Sequence, residues 1–150
     1  MSKTRVLFVC TGNSARSQMA EAFLRIYGDD EYEPYSAGLE PAGVDPLTLR
    51  VMAERGIDIS DQLSKGLDEY LGRQHFGIVV TVCDRAEREC PIFPDVSTRP
   101  HWSFEDPVAF VGSDEQRLAK FREVRDQIET RVREWIRERS RTTSRVIQTR

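Results

Sequence analysis

The sequence predicts a single α/β domain built on a parallel sheet with helices on both faces, a three-layer sandwich. Three observations lead there. Val6-Leu7-Phe8-Val9 and Ile78-Val79-Val80-Thr81-Val82 are short runs of β-forming residues with no polar alternation, the pattern of strands buried on both sides. Amphipathic helical patterns alternate with these strands, and right-handed crossovers then put helices on both faces. At 150 residues the chain is long enough for one domain with a full core.

Taken in order, strand one is Val6 to Val9 and ends at Cys10. Helix one runs from about Ser17 to Tyr27, with Met19, Ala22, Phe23 and Ile26 facing inward, and Gly28-Asp29-Asp30 stops it. Pro34 to Gly38 is a short second strand, and its following loop to Gly43 lies at the Cys10 end of the sheet. Asp45 caps helix two with Pro46 at its first position, and Gly56 closes it. Ile57 to Ser60 is extended, and Leu67 to Leu71 is a short helix. Gly77 to Val82 is the strongest strand signal and ends at Cys83, much as strand one ends at Cys10. Pro91, Pro94 and Pro100 make the next stretch irregular, and His101-Trp102-Ser103-Phe104 is expected as a last strand. A long helix from Asp114 to about Arg139 carries Leu118, Phe121, Val124, Ile128, Val132, Trp135 and Ile136 on one stripe. Residues 1–139 form the domain, and 140–150 are expected to be a polar, basic, disordered tail.

Composition narrows the function classes. A hydrophobic fraction of 39% and a charged fraction of 31% suit a soluble globular protein, and a net charge of −3 argues against nucleic-acid binding. There is no 18-residue apolar run and no signal-peptide core, so no membrane association is expected and the cytoplasm is the default location. Three cysteines, an odd number, in a reducing compartment suggest catalytic, redox-active or buried thiols rather than structural disulfides. No C-x2-C pair exists and the two histidines are His75 and His101, so no metal site is expected.

The chemistry concentrates in Cys10-Thr11-Gly12-Asn13-Ser14-Ala15-Arg16-Ser17, a loop from the carboxyl end of a buried strand into a helix N-terminus. Open α/β sheets bind ligands at such places. Gly12 and Asn13 both tolerate positive φ, so the loop can aim several N–H groups into one concavity. Arg16 adds a planar fork for a tetrahedral oxyanion. The same field is expected to lower the Cys10 pKa and hold a thiolate, with Ser17 donating to the sulfur. The bland alternative is a structural cysteine at a strand end.

Cys10-x5-Arg16-Ser17 after a hydrophobic strand resembles the phosphate loop of the low-molecular-weight tyrosine phosphatases. The fuller string from Cys10 to Glu21, together with Val80-Thr81-Val82-Cys83 through Cys90-Pro91 and His101-Trp102-x-Phe104-x-Asp106-Pro107, is similar to one branch of that superfamily, the thioredoxin-coupled arsenate reductases. The likeness covers Arg5 to about Arg139. It implies a four-stranded parallel sheet of order 2-1-3-4, and reduction of arsenate to arsenite by Cys10, Cys83 and Cys90 with thioredoxin as electron donor and no bound cofactor. Thr11 to Ser17 would hold the oxyanion, phosphate and sulfate would compete for it, and Asp106, aimed by Pro107, would be the general acid. Without the Cys10 loop, Asp106 would read as a simple turn residue.

Other readings stay beside these. Cys83 and Cys90 are an incidental pair on one view. If they bond, the intervening polar segment must leave the helix, since a helix would hold their Cα atoms roughly 10 Å apart at 1.5 Å per residue. The alternative function is a low-molecular-weight tyrosine or aryl-phosphate phosphatase using Cys10, Arg16 and Asp106. Against it, Val108 stands where that family usually has an aromatic residue, and the role leaves Cys83 and Cys90 unused. Two positions depart from the reductase pattern. Ala15 replaces a cysteine common in relatives, and Lys65 stands where some relatives have an acidic residue that binds potassium with residues matching Asn13, Glu21 and Ser36. An ammonium there would replace the ion and orient Asn13 through Glu21; the alternative is an ordinary surface lysine.

Overall fold

The computed structural model describes residues 3–148, with side chains through Arg141. Strand β1 (Thr4–Cys10) is central, flanked in parallel by β2 (Tyr32–Gly38) and β3 (Ile78–Thr81), in the order β2-β1-β3. Val6 pairs with Pro34 and Ile78, and Val9 pairs with Ala37 and Thr81. Val6 to Cys10 are all buried, which explains their unbroken apolar run: both faces of β1 are covered. Leu7 and Tyr35 are register partners and share one face, where Tyr35, Tyr70, Phe76 and Phe93 stack edge to face. Phe8 points to the other face and meets Trp102, which in turn meets Trp135. Those two aromatic clusters are the two inner layers of the sandwich.

The helices are α1 (Arg16–Tyr27), α2 (Pro46–Ala53), α3 (Asp84–Glu89) and α4 (Asp114–Gln148), with one 3-10 turn at Leu67–Glu69 where a short helix was expected. Asp45 caps α2 by accepting from the Leu47 N–H at 2.9 Å, and Pro46 opens the helix. Gly56 follows at φ +73°, a left-handed turn. On α4, Phe121, Val124, Ile128, Val132 and Trp135 are buried and Leu118 and Ile136 partly so. Arg125 joins this stripe. It is 7% exposed and donates to the Val51 carbonyl and to Glu54, tying α4 to α2.

Several expectations need correction. The fourth strand does not form. Thr98 and His101 make only isolated parallel bridges to Ile78 and Thr81, so the sheet has three strands. The segment still takes the fourth place, accepting at Thr98 and Pro100 from Val79 and Thr81 and donating from Trp102 to Thr81. Pro100 supplies no N–H, which interrupts the ladder. Ile26 is 51% exposed rather than inward, because the buried part of α1 ends at Leu24. Helix α4 continues past Arg139 to Gln148, so most of the expected disordered tail is helical; Thr149 and Arg150 lie outside the described residues.

Candidate active site

Strand β1 ends at Cys10, paired with Gly38 of β2, and the chain turns through Thr11 to Ala15 into α1. Four carbonyls of this turn are tied outward: those of Cys10, Thr11, Gly12 and Ser14 accept from the N–H groups of Leu39, Glu40, Ala42 and Asp45 at 2.8–3.1 Å. In a trans peptide the next N–H points the opposite way, so the amides of Thr11, Gly12 and Ala15 face inward. No side chain caps α1 and no acid lies in its first turn, so its amide end is left for an anion. Positive φ falls on Asn13 (50°) and not on Gly12. Gly12 matters for space instead, since a Cβ there would lie 3.0 Å from Ser14 Oγ. Gly38 matters more: its Cβ would sit 2.7 Å from both Asn13 N and Thr11 O, main-chain atoms that hold the loop's shape.

The Cys10 sulfur is buried. It lies 2.7 Å from Ser17 Oγ and accepts from the Asn13 N–H at 3.2 Å. Asn13 Nδ2 donates to Ser17 Oγ at 2.8 Å, which leaves the Ser17 hydroxyl proton for the sulfur. Burial pushes the Cys10 thiol up; the Ser17 hydrogen bond, the Arg16 charge and the Asn13 N–H pull against it. The expectation of a lowered pKa is therefore corrected: the stabilising field is present, but desolvation outweighs it.

Asn13 is held by two donors on its Oδ1: Gln18 Nε2 at 2.9 Å and the Lys65 N–H at 2.8 Å. Gln18 also reaches the Leu63 carbonyl and accepts from Gln62. Glu21 accepts from Ser36 and Arg25, each at 2.6 Å, and the Lys65 ammonium lies 3.9 Å from it. The link from Lys65 to Asn13 thus runs through the main chain and not through Glu21. These residues do not fit a potassium ion: two cations already face Glu21, and the Asn13 oxygen is fully engaged.

On the open side, Arg16 donates to the Phe104 carbonyl at 3.2 Å and lies 3.4 Å from Asp106 Oδ2. Asp106 accepts from the Val108 N–H across Pro107. Cys10, Thr11, Gly12, Ser14, Ala15 and Arg16 line a cavity of about 230 Å³ closed by Glu40, Ala42, Asp106 and Val108. Asn13 and Ser17, both expected to touch the oxyanion, are fully buried and do not line it. Gln18, Gly38, Glu40, Ala42 and Ser64, whose hydroxyl donates to the Gly12 carbonyl, were missed by the sequence. Their roles are set by long-range contacts, for which the local pattern carries no signal.

The second thiol lies against the loop that begins at Cys10. Val82 donates to the Val9 carbonyl, and Cys83 Sγ lies 3.4 Å from Thr11 Oγ1, next along the chain from Cys10. Cys83 caps the six-residue α3, accepting from the Ala86 N–H at 3.3 Å, and Cys90 closes the same helix. Burial pushes the Cys90 thiol up. All three cysteines are free and buried. Arg85 of α3 also binds Glu40 at 2.8 Å, joining that helix to the rim of the cavity.

A cysteine and an arginine around an inward-facing amide loop define the site type, and the low molecular weight phosphotyrosine protein phosphatase family matches residues 5–145. The chain belongs to that family. Within it the chain is similar to arsenate reductases. It is 47% identical over 133 residues to the arsenate reductase of Halalkalibacterium halodurans, covering 89% of this chain and 95% of that one. A solved arsenate reductase in the phosphate binding state matches with a TM-score of 0.76 at 35% identity, over 90% of this chain and 98% of the other. A Corynebacterium glutamicum thioredoxin-dependent arsenate reductase matches with a TM-score of 0.69 at 33% identity, over 91% of this chain and 61% of that one.

Proposed function

We propose that this protein reduces arsenate to arsenite through Cys10, Cys83 and Cys90, and that thioredoxin restores the thiols. The observation that carries this reading is the Cys83 thiol at Thr11, beside Cys10, with Cys90 at the far end of the same short helix. A phosphatase needs neither of those thiols.

Arsenate binds as a tetrahedral dianion against the inward amides of the loop and the Arg16 fork. The Cys10 thiol gives its proton to the incoming dianion, a transfer helped by Ser17 and the Asn13 N–H. The thiolate forms a bond to arsenic, and one oxygen leaves as water with a proton from Asp106. Cys83, as thiolate, then attacks the Cys10 sulfur. The Cys10–Cys83 bond forms, the sulfur–arsenic bond breaks, and its electron pair stays on arsenic, which becomes As(III) and departs as arsenite. Cys90 attacks Cys83, Cys10 leaves as thiolate, and a Cys83–Cys90 disulfide remains. The thioredoxin dithiol reduces it by exchange. The sum is arsenate plus one dithiol giving arsenite, one disulfide and water. Asn13, Gln18 and the Lys65 main chain keep the loop in shape, and the ammonium of Lys65 stands where a monovalent cation would otherwise sit.

An assay with arsenate, thioredoxin, thioredoxin reductase and NADPH, run beside aryl-phosphate hydrolysis, tests this. NADPH consumption that depends on arsenate and on thioredoxin is expected. Hydrolysis of the ester with no such consumption would establish the phosphatase instead.

A further inference from the structure

Helix α3 is too short to be stable alone, and the relay requires it to open, because an intact helix keeps Cys83 and Cys90 at opposite ends. What holds it closed is a set of polar contacts centred on His101, in the segment beside β3. The buried Thr81 hydroxyl donates to Glu87 of α3 at 2.6 Å, and His101 Nδ1 lies 2.8 Å from the same oxygen. The single Thr81 proton goes to the carboxylate, so His101 Nδ1 donates to Thr81. On its other side His101 Nε2 lies 3.2 Å from Asp84 Oδ1, at the first turn of α3, and a carboxylate only accepts. Both bonds therefore form together when both ring nitrogens carry protons. Ser103 donates to Asp84 at 3.1 Å, and Arg99 donates to the Glu87 carbonyl at 3.0 Å. The charged groups facing the ring are Asp84 and Glu87 from α3, with Arg88 acting on Asp84 and Arg99 from the histidine's own segment. Strand β3 contributes the Thr81 hydroxyl.

We propose that His101 is a positioning residue for the redox pair: it clasps α3 in its helical, dithiol form and so sets the reduction potential of Cys83–Cys90. This rests on the relay described above. Contacts present only in the dithiol form stabilise that form and make the disulfide more oxidising. Losing the clasp favours closure of the disulfide and makes it harder for an external dithiol to reopen.

The test uses the full chain with Cys10→Ser, which leaves Cys83 and Cys90 as its thiols. It is equilibrated in graded mixtures of reduced and oxidised dithiothreitol, the pair giving two electrons and two protons to the oxidised form, and the disulfide fraction is counted by alkylation and mass. His101→Ala is expected to shift the equilibrium toward the disulfide about tenfold, ~30 mV more negative. Asp84→Asn, an exposed change that keeps the fold, moves it the same way, and the double variant goes no further than the larger single shift. In the Cys10-containing chain, phosphate protects Cys10 from alkylation equally well with or without His101. Equal potentials, additive shifts or lost phosphate protection would each overturn the clasp. If the parent forms no Cys83–Cys90 disulfide at any ratio, the relay itself fails and the clasp falls with it; a normal disulfide with an unmoved potential removes the clasp alone.

Discussion

Cys10 shows how one residue's reactivity is set by opposing influences. Burial among apolar neighbours raises its thiol, while Ser17, Arg16 and the Asn13 N–H lower it. Removing a lowering term leaves burial less opposed, so Ser17→Ala is expected to move the midpoint of Cys10 alkylation by iodoacetamide to higher pH. A midpoint that stays put or falls would show that Ser17 does not stabilise the thiolate. Cys10, Arg16 and Asp106 were singled out in the sequence by their spacing and chain context, and the folded chain brings all three to one cavity. Gly38 was not, because its need for a bare Cα arises from the loop folding over it from another strand.

At the scale of elements, α3 is the part that has to change. Its six residues separate two thiols that the proposed reaction must join, and its polar contacts come from outside the helix, among them Glu40, Thr81, Arg99, His101 and Ser103. Without Cys90 the relay has no exit from the Cys10–Cys83 disulfide. Cys90→Ala is accordingly expected to release one burst of arsenite matching the enzyme and then stop, with that disulfide accumulating; steady turnover by this variant with thioredoxin as sole reductant would sink the relay. The strands β1 and β3 were readable from their continuous apolar runs, since burial on both faces removes the need for alternation. The expected fourth strand has the right residues for an extended segment. It fails to pair regularly because Pro100 breaks the donor series and the segment bridges β3 at only two points.

Across the whole molecule, α4 closes one face of the sheet and is fixed to α2 through the buried Arg125. Its apolar stripe was plain in the sequence, but a charged residue on that stripe was not, because an arginine is ordinarily placed in water. Arg125→Ala strands the Val51 carbonyl and loosens Glu54, and is expected to lower the unfolding free energy by about 2–3 kcal/mol in urea titration. Phosphate protection of Cys10 should hardly change, since Arg125 touches α2 and not the loop. Arg25 and Lys65 both face Glu21, and in the function proposed above the lysine takes the place of a monovalent cation. Arsenate reduction at matched ionic strength should therefore be the same in potassium and sodium salts. A several-fold stimulation by potassium would show that the lysine does not substitute for an ion.

The sequence alone determined the order of strands and helices and the loop that runs from Cys10 into α1, and it singled out the nucleophile proposed there, because these depend on local periodicity and on residues close together in the chain. Tertiary structure decided the rest: three strands rather than four, Asn13 and Ser17 behind the loop rather than in the cavity, and the Cys83 thiol delivered to Thr11. Each of these depends on which distant groups compete for the same donors, acceptors and space, and that competition exists only once the chain has folded.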